Sequence, residues 1–96
     1  MRVDIYNATK EKLITSIDAL RILYRDNELS IGLKDGFNQI FKSLKRDSLT
    51  IIEITTENSE KLQFLCSFIS YNYIIYQTEN DIYNVSDNTA LFKVLQ

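Results

Sequence analysis

The chain contains no proline and only two glycines, Gly32 and Gly36, in 96 residues. Proline and glycine are the residues that most often mark loops, because one fixes φ and the other adopts conformations closed to other residues. We therefore expect regular elements joined by short connections. A chain of this length has material for one hydrophobic core, so the sequence predicts a single domain over residues 1–96.

Apolar residues recur at helical spacing in three places and in short β-branched runs in four. The helical stripes are Leu13-Ile17-Leu20-Tyr24, Phe37-Ile40-Phe41-Leu44 and Leu62-Leu65-Cys66-Ile69. The strand candidates are Leu29–Ile31, Leu49–Thr55, Tyr73–Tyr76 and Ala90–Leu95, with one helical turn between Asn80 and Val85. The mid-strand Lys93 is typical of an edge strand.

The predicted helices and strands alternate along the chain. This order is typical of parallel strands that are joined by crossover helices and covered on both faces. The sequence therefore predicts a three-layer α/β/α sandwich with a mostly parallel four-stranded sheet.

Residue types suited to catalysis are scarce. Histidine is absent, which removes the commonest general base and the commonest zinc ligand. Cys66 lies on an apolar stripe, where a buried inert thiol is expected. The acidic residues lack the spacing of a calcium loop, and no phosphate-binding loop is present: Glu53, Glu57, Glu60, Glu79 and Asp81. We expect no enzymatic activity, no metal, no cofactor and no small-molecule substrate.

The sequence also bears on the compartment. No apolar run approaches the ~20 residues that a membrane helix needs, and the N-terminus lacks the apolar region of a secretory signal. The single cysteine excludes an internal disulfide, which favours a reducing compartment. The sequence therefore predicts a cytoplasmic or nuclear protein that has no membrane partner.

Charge is distributed unevenly although the net charge is only −2. Residues 1–50 carry nine Lys/Arg and seven Asp/Glu, a balance of +2, and residues 51–96 carry two and six, a balance of −4. Between Gly32 and Arg46 the cations Lys34, Lys42, Lys45 and Arg46 face only Asp35. Such a run is usually the solvated face of a helix.

The start of the predicted second helix combines features that suit RNA. A helix N-terminus offers unpaired N–H groups to phosphate, and Gly36 lets the backbone approach closely. Asn38 and Gln39 can read base edges, and Lys42 lies one turn further on the same face. The alternative is that Gly36 ends a turn and the polar side chains face water, which physical reasoning alone favours.

The run Gly36-Phe37-Asn38-Gln39-Ile40-Phe41-Lys42, followed by the strand candidate Ile51–Thr55, resembles the kink-turn RNA-binding ribosomal-protein superfamily. Leu65-Cys66 before Tyr71–Tyr76 and the final Phe92-Lys93-Val94 are similar to later motifs of that family. The family's glutamate is Gln39 here, its Leu-Gly after the third strand is Ile82-Tyr83, and either Gly32 or Gly36 can match its glycine.

The resemblance implies a structural constituent of the ribosome that binds rRNA beside neighbouring ribosomal proteins in the cytoplasm. It leaves open the thirtieth large-subunit type and the twelfth small-subunit type. The implied RNA-binding residues are Gly32, Lys34, Gly36, Asn38, Gln39, Lys42, Lys45, Arg46 and Tyr83. The alternative is a protein-interaction module that keeps this fold without kink-turn binding.

Overall fold

Six β-strands form the fold. The computed structural model describes residues 1–33, 41, 43–78 and 81–95, and for 72–78 and 81–87 it describes the backbone alone. The strands are β1 (Arg2–Asn7), β2 (Leu13–Arg25), β3 (Glu28–Leu33), β4 (Leu49–Thr55), β5 (Lys61–Thr78) and β6 (Asp81–Val94). Within the described residues, no helix is long and apolar enough to cross a membrane.

The strands close into a barrel in the order β1-β2-β3-β6-β5-β4, and every neighbouring pair is antiparallel. Each half is a three-stranded meander. The pairing of β1 with β4 and of β3 with β6 joins the two halves. Closure satisfies most strand backbones internally and removes the long edges of an open sheet.

The predicted α/β/α sandwich with its parallel four-stranded sheet is wrong. The segment read as a first helix is β2, and the segment from Leu62 to Ile69 lies within β5. Residues 81–85, read as part of a helical turn, belong to β6. The predicted second helix lies largely outside the described residues, since only Phe41, Ser43 and Leu44 of it are described.

The helical stripe predicted at β2 joins side chains that do not share a face. The register shifts near Leu13 and again between Ala19 and Arg21. Each bulge inserts one residue into the alternation of inward and outward side chains. Leu13, Leu20 and Tyr24 of the stripe are exposed, whereas Ile17 packs against the core, so the spacing of three to four does not mark one buried face.

In β5 the apolar residues of both faces obscured the alternation. Phe64, Cys66 and Phe68 face the core, while Leu65 and Ile69 are half-buried on the outside. Because both faces carry apolar side chains, a helical stripe can be drawn through a sequence that alternates as a strand.

Four strand predictions are confirmed: Leu29–Ile31 lies in β3, Leu49–Thr55 is β4, Tyr73–Tyr76 lies in β5, and residues 90–94 lie in β6. The expectation that Lys93 marks an edge is wrong. It pairs with Glu28 of β3 and with Ser67 of β5, so it lies on an interior strand with its side chain on the exposed face.

The hairpins turn without glycine. Asp26 and Asn27, between β2 and β3, have φ of 52° and 62°. Two consecutive positive φ values are those of a type I′ turn, which matches the twist of the flanking strands. Lys10, Asp47 and Ser59 also adopt positive φ. Non-glycine residues thus occupy left-handed positions in this chain, which explains how it turns with so few glycines.

The barrel interior is filled by apolar side chains from all six strands and by Phe41 from the segment before β4. The Phe92 ring lies edge-on to Phe68, with centroids 5.5 Å apart, and to Phe41, 6.3 Å apart. Phe41 stacks on Tyr71 at 5.3 Å. Such contacts add to the free energy gained from burying the rings.

The β5–β6 hairpin continues beyond the barrel. β3 pairs with β6 only as far as Asn88, and β4 pairs with β5 only over residues 61–67. The backbones of Ile74–Tyr76 and Val85–Asp87 pair with each other. This ribbon lengthens the molecule, whose principal extents are 48, 32 and 26 Å.

Candidate functional site

The residues predicted to bind RNA are not gathered into one described surface. Lys45 and Arg46 are exposed in the turn before β4, and Gly32 is buried in β3. Tyr83 lies in β6, where only the backbone is described. The remaining positions lie outside the described residues: Lys34, Gly36, Asn38, Gln39 and Lys42.

The surroundings of Gly32 explain why glycine stands there. Gly32 pairs with Arg21 on one side and with Thr89 on the other. A Cβ at this position would lie 2.7 Å from Cγ and 2.9 Å from Nε of Arg21. The glycine thus gives room for the Arg21 side chain to lie across β3.

The described residues offer no candidate metal-binding cluster, and their cysteine is buried. Burial raises the pKa of the Cys66 thiol to about 12, so the thiol stays protonated at neutral pH. Among the residues that the structure describes, no group of three Cys, Asp or Glu side chains is placed to hold a metal.

A row of polar side chains crosses the outer face of four strands. Asp4 of β1 and Glu53 of β4 lie directly opposite each other, with Ser16 of β2 and Gln63 of β5 beside them. Both carboxylates are largely buried. Two like charges at adjacent positions repel unless cations and donors compensate them.

Compensating groups surround both carboxylates. Asp4 accepts hydrogen bonds from Ser16 and from Arg2, whose Nε lies 3.1 Å away. The Nζ of Lys10 lies 3.0 Å and that of Lys61 3.7 Å from Glu53. A shallow hollow of about 220 Å³ beside the row is lined by Arg2, Ser16, Ile17 and Asp18. Because these carboxylates already have partners, we assign the row to stability.

The Asp4 row predicts a pH-dependent stability. Burial raises the pKa of Asp4, but the hydrogen bonds from Ser16 and Arg2 outweigh it and hold this pKa below its ordinary value. A lowered folded-state pKa contributes stability above the unfolded pKa of about 3.9, and this stability is lost as pH falls through the folded value. In urea denaturation, the free energy of unfolding of wild type should exceed that of Asp4→Asn by about 1 kcal/mol at pH 6. This difference should close towards pH 2.

Asp26→Asn is the matched control for this prediction. Its carboxylate pairs with Arg25 at 3.6 Å, but both side chains are almost fully exposed. Exposed pairs contribute little. A gap between wild type and Asp4→Asn that stays constant over this pH range would show that the carboxylate is not stabilised in the fold.

One part of β2 has a strand on only one side. The β1–β2 ladder ends where the Ala19 N–H donates to the Met1 carbonyl at 2.8 Å and the Met1 amino group donates to the Ala19 carbonyl at 3.3 Å. β2 continues through Leu20–Arg25, which lies beside β3. No strand of the described part lies on its other side. We call Leu20–Arg25 the β2 rim.

The turn after the β2 rim fixes which backbone groups point outward. In a hairpin with a two-residue turn, the residues that flank the turn bond to each other, so Arg25 bonds to Glu28 of β3. Strand residues alternate between their two neighbours. The N–H and C=O groups of Ile22 and Tyr24 therefore point away from β3, towards the open side.

Large apolar side chains are concentrated around the β2 rim. Leu20 is 62% exposed, Leu23 60% and Tyr24 50%. Met1, bonded to Ala19, and Leu62, at the start of β5, are also exposed. The Tyr24 ring stacks on Phe64 of β5 with centroids 5.5 Å apart, which brings the rim next to the same face of β5 that carries Leu62. Exposed apolar side chains thus lie on both faces of a strand segment that has a strand of the described part on one side only.

The sequence analysis missed the β2 rim because it read these residues as a helix. The available signal was Asp26-Asn27 between two apolar runs, a composition typical of a tight hairpin turn. That signal predicts two strands and their register. It does not predict which part of β2 pairs with β1, because that depends on how the barrel closes.

Comparisons with protein-family models, with curated proteins and with solved structures find no match to this chain. The all-β barrel contradicts the resemblance to the kink-turn superfamily, whose members have an α/β fold. The ribosomal function that the resemblance implied is therefore wrong, as is the alternative that kept its fold. The expectation of rRNA and ribosomal proteins as partners stays an untested prediction, now without the fold that motivated it.

Proposed function

We propose that the protein is a non-catalytic interaction module that binds another polypeptide at the β2 rim. The observation that carries this proposal is that the β2 rim, which has a strand of the described part on one side only, bears Leu20, Leu23 and Tyr24, each at least half exposed. Strand edges of soluble proteins are normally covered or carry charge and proline, because an open apolar edge pairs with other chains. Retaining leucines there is consistent with an edge that is used for binding.

Several features support an interaction role over a chemical one. The described part holds no candidate metal cluster, and its cysteine is buried with a raised pKa. An enzyme needs a nucleophile, base or metal in a cleft. Absence of enzymatic activity and of a cofactor thus remains part of this proposal, as does a reducing, cytoplasmic location, which suits a chain with one free thiol.

A peptide-display selection on the immobilised protein tests the proposal. We expect the enriched peptides to bind wild type and to lose at least about tenfold in affinity for Leu20→Ser/Leu23→Ser. Both side chains are mostly exposed, so the folded state should tolerate the change. Circular dichroism checks that the variant stays folded.

The control is Leu13→Ser/Leu49→Ser, which alters two exposed leucines away from the β2 rim. Peptides that bind at the rim should retain their affinity for it. A selection that yields no binders, or binders that respond only to the control substitutions, would contradict an interaction site at the β2 rim.

A further inference from the structure

We infer that the ribbon formed by β5 and β6 pairs with the same ribbon of a second copy of this chain, through the edge of β5. This surface is separate from the β2 rim, and the inference goes beyond the binding proposed there. The ribbon backbones pair with each other at Ile74–Tyr76 and Val85–Asp87, whereas β4 pairs with β5 only over residues 61–67. Of the described strands, none lies beside Ile74–Tyr76 on the side away from β6.

A ribbon of two strands gains stability from further strands. Two strands alone are marginally stable in water, because they bury little surface between them. Where β5 leaves the barrel, the Phe68 N–H donates to the Ser48 carbonyl and the Phe68 carbonyl accepts from the Asp47 N–H. A second ribbon would continue this side of β5 with two more strands and would receive the same support in return. The joined sheet would have the order β6-β5-β5-β6.

The hydrogen bonds of β6 show which of its backbone groups point towards β5. The Leu95 N–H donates to the Leu65 carbonyl at 2.9 Å, next to β5. The Val94 N–H donates to the Asn27 carbonyl at 2.7 Å, next to β3. Strand residues alternate between their two neighbours, and β6 pairs with β3 without a register shift. The odd-numbered residues of β6 therefore bond to β5.

This alternation fixes the backbone groups at the edge of β5. Asp87, an odd-numbered residue of β6, lies opposite Ile74, so Ile74 bonds to β6. The N–H and C=O groups of Tyr73 and Ile75 consequently point away from β6. These are the groups that an added strand would bond.

The same alternation restricts the two-fold axis. Outward groups must meet outward groups, so the axis passes beside a residue and not between two residues. An axis at Ile74 places Tyr73 of each copy opposite Ile75 of the other, and each of these pairs exchanges two hydrogen bonds. Aromatic and β-branched residues are favourable cross-strand pairs. Ile74 lies opposite itself in a pair without hydrogen bonds, where the Cα atoms approach to about 4.5 Å.

The distribution of charge favours a second copy as the occupant and β5 as the edge. Residues 62–78 contain no Lys, Arg, Asp or Glu, so two β5 edges can pair without like charges meeting. In the ribbon β6 carries Asp81 and Asp87, and pairing two β6 edges about Asn84 would place these carboxylates opposite each other. Charge on an edge strand opposes further pairing, so the joined sheet ends at β6 on both sides and closes as a dimer.

Analytical ultracentrifugation of the full chain tests this inference. We expect a reversible equilibrium between monomer and dimer at concentrations on the order of 10–100 μM, because the paired segment is short. Ile75→Lys should weaken the dimer at least about tenfold, since it places a cation at the edge, opposite Tyr73 of the other copy. Circular dichroism checks that this variant stays folded. The matched control is Leu20→Ser/Leu23→Ser at the β2 rim, which should change the dissociation constant less than about threefold.

A disulfide cross-link tests the position of the axis. Ile74→Cys should form a disulfide between two copies under mild oxidation, because a disulfide spans Cα atoms about 4.4–6.8 Å apart and Ile74 lies opposite itself. The native Cys66 is buried and does not compete. Ile75→Cys is the control, since Ile75 lies opposite Tyr73 and not opposite itself. Its cross-linking, followed by non-reducing electrophoresis, should be at least about tenfold slower.

Several results would overturn the inference. A wild-type chain that stays monomeric over this concentration range, or a dimer that Ile75→Lys leaves intact, would show that the β5 edge does not pair with a second copy. Equal rates of cross-linking for Ile74→Cys and Ile75→Cys would exclude the axis at Ile74. Fibres or larger oligomers would show that β6 does not end the assembly.

The results also separate this inference from the function proposed for the β2 rim. A dimer that is lost in Leu20→Ser/Leu23→Ser but kept in Ile75→Lys would place self-association at the β2 rim and overturn pairing through the ribbon. A monomeric chain that binds displayed peptides, and loses them in Ile75→Lys, would identify another polypeptide as the occupant of the β5 edge. Peptide binding that depends on Leu20 and Leu23 supports the proposed function whether or not the ribbons pair.

Discussion

Replacing Ala90 with aspartate is expected to abolish the folded barrel. Ala90 is fully buried on β6, opposite Ile31 of β3 and Tyr71 of β5. The substitution would place a charge and additional volume among the apolar side chains of a packed interior. We expect a loss of about 4 kcal/mol or more, a large part of the 5–15 kcal/mol typical of a domain. Circular dichroism and urea unfolding would measure it.

Leu91→Asp is the control for this prediction. Leu91 is the next residue of the same strand, but it lies on the outer face, half-buried between Ser30 and Ser70. We expect its cost to stay near 1 kcal/mol, because the carboxylate reaches water. Equal effects at the two positions would show that they do not lie on opposite faces of a strand.

Truncating Phe92 to alanine is expected to lower the free energy of unfolding by about 3–5 kcal/mol. Phe92 is fully buried, and its ring meets Phe68 and Phe41 edge-on. Phe68 is fixed on β5, directly opposite Phe92 on β6, so its ring cannot collapse fully into the space that is left. Equilibrium urea denaturation would measure the difference.

Tyr24→Ala removes another aromatic ring and serves as the comparison. Tyr24 stacks on Phe64, but half of its surface is exposed, so we expect a cost of about 1 kcal/mol. A Phe92→Ala variant that loses no more stability than Tyr24→Ala would contradict the placement of Phe92 at the centre of the core.

Strands with β-branched sequences could be predicted, whereas the strands that pair with them could not. Leu49–Thr55 is β4, as its composition indicated. Its composition also suggested a buried strand of a parallel sheet, yet both of its neighbours run antiparallel. A fully buried strand reads alike in both kinds of sheet.

The largest error came from β2, where tertiary structure overrides a local pattern. Leu13, Ile17, Leu20 and Tyr24 follow a helical period, but the chain is extended with bulges at two places. A bulge is set by the register with the neighbouring strand, which spacing along one chain does not contain. The short motif from Gly36 to Lys42 resembles a family with an α/β fold. That resemblance agreed with the interpretation of β2 as a helix.

The exposed residues of the candidate site also depend on how β2 pairs with its neighbouring strands. Exposed Leu20 and Leu23 cannot be distinguished from core leucines in the sequence, because both belong to apolar runs. Leu23 is exposed because it lies on the outer face of the barrel, opposite Ser30 of β3, and Leu20 lies at the bulge between Ala19 and Arg21. The face on which a side chain lies is known only after the strand pairing and its bulges are known.

Amide hydrogen exchange along β2 tests most directly whether Leu20–Arg25 is an open edge that binds a strand. We predict rapid exchange of the Ile22 and Tyr24 amides and slow exchange of the Leu23 and Arg25 amides, which bond to β3. Adding a peptide that the display selection has enriched should slow exchange at Ile22 and Tyr24. Equal protection of all four amides in the free protein, or no change on adding that peptide, would contradict the account.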